Sequence, residues 1–400
     1  SLRLEFLVGG EILRGAIGDC VRRREELSVE EVVEVEYFPA LPPPEEGPSR
    51  DGPDWVSSIG ASESLAVAGF FDGTLLMHRL EGGELEERAF VGVRAHMRSI
   101  GAVSVGSGVG VDKQVVVTGG KDCVVKCWTV LDDIECVGIG AGHEGSITTA
   151  AIAPGLQAAA TGAWDGGLCV WSLPDVTESK PQTRSGRRRR KSGSGEEGGS
   201  GGGEGDGEGG VAELKMEWEE KSLLVGAITG LVWRGAEELV TGAMDHSVRL
   251  WEVKEDGGWA SSSARHAHAA VLDVTLAPSH SVVASAHSDE LVRIWDFRTH
   301  ASSSSSSSSA AAAPTTSTPV LTLRGAKSWV TRVKWSPERE HVLASTAQDG
   351  RVLLWDTRSP SLPLHTATKH DGKALALAFP TDALILSGGE DRTIRAATIA

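Results

Sequence analysis

Apolar residues along this chain fall in short alternating runs, and none of the runs keeps a helical spacing for long. Leu2, Leu4, Phe6 and Val8 alternate with other residues, Gly9-Gly10 reverses the chain, and Ile12-Leu13 opens a returning strand. That period of two around a glycine pair predicts a hairpin. Ser28-Val29-Glu30-Glu31 reads as a capped helical turn, and Val33, Val35 and Tyr37 alternate with Glu34 and Glu36 in a further strand. Residues 1–38 therefore predict part of a small α+β domain, and Pro42-Pro43-Pro44 makes 39–53 a Pro-rich linker.

Beyond the linker one unit recurs. Thr118-Gly119-Gly120-Lys121-Asp122 leads to Trp128, Thr161-Gly162-Ala163-Trp164-Asp165 to Trp171, and Thr241-Gly242-Ala243-Met244-Asp245 to Trp251. Ser285 to Asp289 leads to Trp295, and Ser345 to Asp349 to Trp355. Weaker copies flank these at Ala68 to Asp72, with His78 in the Trp position, and at Ser387 to Asp391, with Ala397 there. The aspartates at 72, 122, 165, 245, 289, 349 and 391 are separated by 50, 43, 80, 44, 60 and 42 residues. A period near 40–45 with this signature predicts a seven-bladed WD-repeat β-propeller over 54–400, an all-β fold.

The two long steps require insertions. Residues 177–215 are dominated by Gly, Ser, Glu and Arg, and 299–318 contain Ser302 to Ser309 followed by Ala310 to Ala313. Such compositions cannot bury a core, so both are expected to be disordered insertions after a Trp-ending strand. The closing blade lacks residues for an outer strand after Asp391, so the ring is expected to close from the N-terminal side.

Each Asp is expected to accept backbone donors of a strand reversal while reaching a His from the preceding loop. His143 fits Thr161, Asp165 and Trp171 in this way, and His96 and His370 fit their own blades. His266 or His268 fits only with a shift, and Ala326 holds the sixth blade's His position. A hydroxyl, an imidazole and a carboxylate are also the parts of a nucleophilic triad. Because the trio recurs in repeat register while an active site is singular, His143, Thr161, Asp165 and Trp171 are read as structural and the chain as a non-enzyme without a cofactor.

The net charge of −16 excludes nucleic acid wrapped over the whole surface and leaves only a local patch. Cysteines 20, 123, 127, 136 and 169 form no disulfide framework, which favours a reducing compartment. Cys123 and Cys127, if they share a strand, are two core residues before they are metal ligands. No apolar run approaches the length that spans a bilayer, so a soluble, intracellular chain without membrane contact is expected, and Ser1 suggests a fragment. Arg187-Arg188-Arg189-Arg190-Lys191 is read as a nuclear-localisation cluster captured by importin. The glycines from Gly193 to Gly210 follow no strand and form a linker, not a phosphate cradle.

Phe6-Leu7-Val8-Gly9-Gly10-Glu11-Ile12-Leu13-Arg14, Leu27-Ser28-Val29-Glu30, Val35-Glu36-Tyr37 and Asp54-Trp55-Val56-Ser57-Ser58-Ile59 carry a more specific likeness. With the seven repeats behind them, the chain resembles the NLE-domain WD-repeat ribosome biogenesis factors, and the resemblance spans nearly its whole length. It implies that 1–38 is a partial β-grasp, ubiquitin-like NLE domain. It further implies a non-catalytic scaffold in large ribosomal subunit assembly and precursor rRNA processing, in the nucleus, its nucleolus and nucleoplasm. The implied partners are a block-of-proliferation-type WD-repeat factor, Pescadillo, the pre-ribosomal large subunit and the AAA ATPase midasin. Glu30 falls where the family offers a carboxylate to the metal of the midasin adhesion site, an open position for one hard oxygen. Two rivals remain, a Notchless-like NLE/WD factor of eight-bladed design and a cullin ubiquitin-ligase receptor. The latter would use Trp295-Asp296-Phe297-Arg298 or Trp355-Asp356-Thr357-Arg358.

Overall fold

A computed structural model describes residues 4–8, 11–13, 35–81, 84–86, 91–107, 113–131, 133–174, 211–220, 226–255, 257–298 and 318–399. Among these residues every regular element is a strand. The Val-, Thr- and Trp-rich runs pair as antiparallel sheets, most of them as strands of four to eight residues separated by tight reversals.

Seven sheets form the blades, six of them running outward in chain order as strands a, b, c and d, and the seventh taking its outermost strand from the N-terminal side. In blade 2 these are Ile100–Ser107, Gln114–Gly120, Val124–Val130 and Ile134–Ala141. The innermost strands neighbour one another round a full circle, and Ala374–Thr381 of blade 7 lies against Val56–Ala61 of blade 1. The propeller has seven sheets, not the eight of a Notchless-like design.

Blade-to-blade packing follows from the repeat. Trp171, Trp251, Trp295 and Trp355 on the c strands are essentially fully buried. Trp171 lies on Gly140 of the preceding blade, where a Cβ would come within 2.7 Å of the indole. Trp295 joins Val240, Val248 and Leu250 of blade 4 in one cluster. Burying an indole of this size against its neighbour contributes several kcal/mol per blade, about 25 cal/mol for each Å² of apolar surface removed from water.

Two sequence boundaries need correction. The outer strand of blade 7 comes from the supposed linker: Glu45–Glu46 and Arg50–Asp51 pair with Thr393–Thr398, reinforced by Gly47 N to Ala396 O at 2.9 Å and Gly52 N to Arg392 O at 2.7 Å. Pro48 is tolerated between the two pairings because an outermost strand needs its ladder bonds on one side only. The first insertion also ends earlier than 215. Ala212–Glu213 adds a parallel edge to strand d of blade 2, and Leu214 is buried against Gly138. The glycine-poor Val-Ala-Glu-Leu-Lys stretch at the end of that segment alternates as a strand does, unlike its Gly-rich neighbours.

The N-terminal segment is a three-stranded sheet in the order Glu11–Ile12, Leu4–Val8, Val35–Pro39. It rests on blade 6, where Ile12 N donates to Arg358 O at 2.8 Å and the Arg358 guanidinium stacks 3.9 Å from the Phe38 ring.

Candidate protein-interaction site

The site is built on the seven b–c turns. In all seven blades the residue after the repeat Asp has a positive φ: Gly73, Gly166 and Gly350, but also Cys123, His246, Glu290 and Arg392. This left-handed residue lets the next backbone N–H turn back to the carboxylate, as in Thr74 N to Asp72 at 2.8 Å and Gly167 N to Asp165 at 2.9 Å. The geometry separates Cys123, in the turn beside the Glu144 carbonyl, from Cys127, buried on strand c, so the two thiols do not share a strand.

Behind the turn lies a chain of polar groups. In blade 2 the Trp128 indole N–H donates to Thr118 Oγ1 at 3.0 Å, Thr118 Oγ1 lies 2.8 Å from His96 Nε2, and His96 Nδ1 lies 3.0 Å from Asp122. One assignment satisfies every atom: a neutral imidazole protonated on Nδ1, accepting the Thr hydroxyl proton on Nε2. In blade 3 the structure brings Trp171 Nε1 to 2.7 Å and His143 Nε2 to 2.6 Å from Thr161 Oγ1, while Asp165 caps its turn. Thr161 is completely buried, so its hydroxyl is occupied on both sides and sealed from any substrate.

Arginine is a second partner of the turn carboxylate, reaching it beside His370 in blade 7, where Arg395 lies 3.3 Å from Asp391, and without such a His in three other blades. Arg249, Arg293 and Arg351 reach Asp245, Asp289 and Asp349 at 3.2, 2.5 and 2.6 Å. In blade 5 the hydroxyl partner is also new: it is His287, two residues past Ser285, that sits 2.7 Å from its Oγ. Burial and the Arg293 charge lower His287 to about 4. Burial also lowers His96 and His370 despite their aspartate partners, Asp122 and Asp391. Burial alone would raise Asp391, but His370 and Thr393 outweigh it and hold the carboxyl at about 2.

The turns surround a mouth of about 620 Å³ at the end of the central channel. The residue before each Asp donates its N–H to the residue that leads into strand a, as in Phe71 to Trp55 (3.1 Å), Trp164 to Ser146 (2.9 Å) and Gln348 to Trp329 (3.0 Å). These equivalent positions therefore place Phe71, Lys121, Trp164 and Trp329 at one opening, above Arg332 of a blade-6 inner strand. Trp164 is 61 % and Trp329 48 % exposed, unlike the indoles of the c strands. Sequence reasoning did not single them out, although the position before each repeat Asp, which holds Trp164, could have been read as a ring; Trp329 instead leads into strand a of blade 6.

The two Trp-Asp-x-Arg elements differ. Arg358 is covered by Phe38 and paired with Asp356 at 2.6 Å, whereas Arg298 keeps 64 % of its side chain exposed beside Asp296. Glu30, Cys20 and the cluster Arg187, Arg188, Arg189, Arg190 and Lys191 lie outside the described residues. Among the described residues no group of His, Cys, Asp and Glu is arranged to hold a metal, and no helix is long and apolar enough to cross a membrane.

Comparison with known proteins agrees with this architecture. A family model for the nucleolar protein 10-like N-terminal domain matches residues 219–395, and one for the WD domain, G-beta repeat, matches 134–172. A ribosome biogenesis protein WDR12 homolog of Chlamydomonas reinhardtii is 30 % identical over 419 residues, covering 98 % of this chain and 86 % of the relative. The corresponding protein of Drosophila persimilis is 27 % identical, covering 99 % and 84 %, and that of Aedes aegypti 25 %, covering 99 % and 83 %.

Proposed function

Because the chain belongs to the family of WDR12-type WD-repeat ribosome biogenesis proteins, we propose that it is a docking scaffold in assembly of the large ribosomal subunit. The observation that carries this reading is similarity along nearly the whole chain to proteins so named, coupled to a closed seven-sheet ring. A rigid ring with loops on two faces offers several partners fixed relative positions, which is what an assembly intermediate needs. The hydroxyl, imidazole and carboxylate groups that resemble catalytic parts are spent on holding the turns.

In this reading the propeller docks on a block-of-proliferation-type WD-repeat factor that holds Pescadillo, supporting precursor rRNA processing. The ubiquitin-like segment presents Glu30 to the adhesion-site metal of midasin, which drives release of the assembled factors. Arg187 to Lys191 recruit importin, which brings the chain to the nucleus, the nucleolus and the nucleoplasm. Affinity purification of the tagged chain from nuclear extract should recover the WD-repeat partner, Pescadillo and large-subunit precursors. Recovery of a cullin adaptor in their place would reject the reading in favour of a ligase receptor acting through the exposed Arg298. Glu30→Ala should abolish binding of the isolated midasin adhesion domain, and wild-type affinity would remove Glu30 from the scheme.

A further inference from the structure

We propose that the channel mouth is a binding site for an acidic peptide segment of a protein partner, with carboxylates drawn to Lys121 and Arg332 and a bulky apolar side chain seated on Trp164 and Trp329. The two indoles are set apart from those that pack the blades: Trp164 is 61 % and Trp329 48 % exposed, and their positions need only a backbone N–H or carbonyl. Rigid exposed aromatics around a concavity are the usual anchors of a protein interface.

The cations set the charge of the guest. Arg332 is half-buried and makes only two long bonds, 3.3 Å to Thr229 O and 3.4 Å to Leu272 O, while Lys334 beside it is paired with Asp273 at 3.0 Å. Lys121 is exposed, 5.0 Å over the Phe71 ring, and among the described residues no carboxylate pairs with either it or Arg332. Glu390 is the one carboxylate at the position before a repeat Asp, and Lys373 holds it at 2.9 Å. In a chain of net charge −16, an opening that gathers two unpaired cations and no free carboxylate is complementary to an anion. A lysine- or arginine-rich guest would meet like charge. A single-stranded RNA would need a longer track of cations than two to hold its backbone.

Among the described residues, neither the N-terminal sheet nor the flanks of the two insertions lie on this face. Strand alternation puts the b–c turns on one face and the c–d connections on the other. Both insertions attach at c–d connections, after Pro174 and after Arg298, and the N-terminal sheet rests beside Arg358 at a third.

Random twelve-residue peptides displayed on phage and selected on the full-length chain should enrich sequences with two or more Asp or Glu beside a Phe, Leu or Trp. A fluorescein-labelled synthetic copy of an enriched peptide should then bind at least tenfold more weakly to Trp164→Ala and to Lys121→Glu, both exposed positions that leave the fold intact, and to Arg332→Gln. Enrichment of basic peptides, no enrichment, or equal binding by the Trp164 and Lys121 variants would overturn the proposal. So would a twelve-nucleotide oligouridine that binds with the same dependence on Trp164 while acidic peptides do not.

Discussion

Among the described residues the side chain with most buried unpartnered atoms is His78, which stands in blade 1 where five other blades carry a tryptophan. It is buried, and neither ring nitrogen reaches a hydrogen-bond partner. The cause is two strands of sequence: Ala68 occupies the position that in the other blades gives a Thr or Ser hydroxyl to the indole. Ala68→Ser should return that acceptor and raise stability by about 1 kcal/mol in urea unfolding, an effect absent in a His78→Leu background. Burial lowers His78, as it lowers His96, His287 and His370, so the native state holds these imidazoles neutral. The unfolded chain takes up protons below its ordinary pKa of 6.5 while the folded chain resists. Stability is therefore complete above about pH 6.5 and falls as the pH drops toward 4. His287 alone accounts for on the order of 3 kcal/mol of that loss, and the urea midpoint of His287→Gln should vary less between pH 7.5 and 4.5.

At the scale of the element, the b–c turn is a sharper unit than its motif suggests. Gly350 has φ +83°, and a Cβ there would lie 2.4 Å from His370 O. Gly350→Ala should cost about 2 kcal/mol or more, read as a lower thermal midpoint, whereas His246→Gly should be close to neutral because the strain relieved and the entropy lost are similar. The turn was legible in the sequence because Asp and Trp recur at a fixed step, and that recurrence also predicted seven blades. The arginine partners of the turn carboxylates were not legible. Arg249, Arg293 and Arg351 lie at two different offsets from their Asp, and only the pleat of strand c shows that both offsets return to the turn. The closing strand was hidden for another reason: three prolines at 42–44 mask the two short pairings that follow them. Arg50 fastens that strand to blade 1 through the carbonyls of Leu85 and Glu86 at 3.1 and 3.2 Å. Removing residues 39–53 should open the ring and expose the edge of Thr393–Thr398, seen as loss of cooperative unfolding and as self-association in sedimentation.

For the whole molecule, the fold assigns separate work to its two faces. One carries the seven turns and an aromatic, cationic mouth, and the other carries the residues at which the insertions attach and the N-terminal sheet. Arg358 is shielded by that sheet, so the covered Trp-Asp-x-Arg element cannot serve a partner until Phe38 moves away. The candidate site was only partly legible in the sequence. Trp164 and Trp329 come from blades 3 and 6, far apart in the chain, and only ring closure brings them to one opening. A scaffold for large-subunit assembly is tested most directly by depleting the chain from cells and following pulse-labelled ribosomal RNA. The expected result is accumulation of large-subunit rRNA precursors with small-subunit rRNA unaffected, restored by the wild-type chain. Normal maturation of large-subunit rRNA after depletion, or a defect confined to the small subunit, would contradict the account.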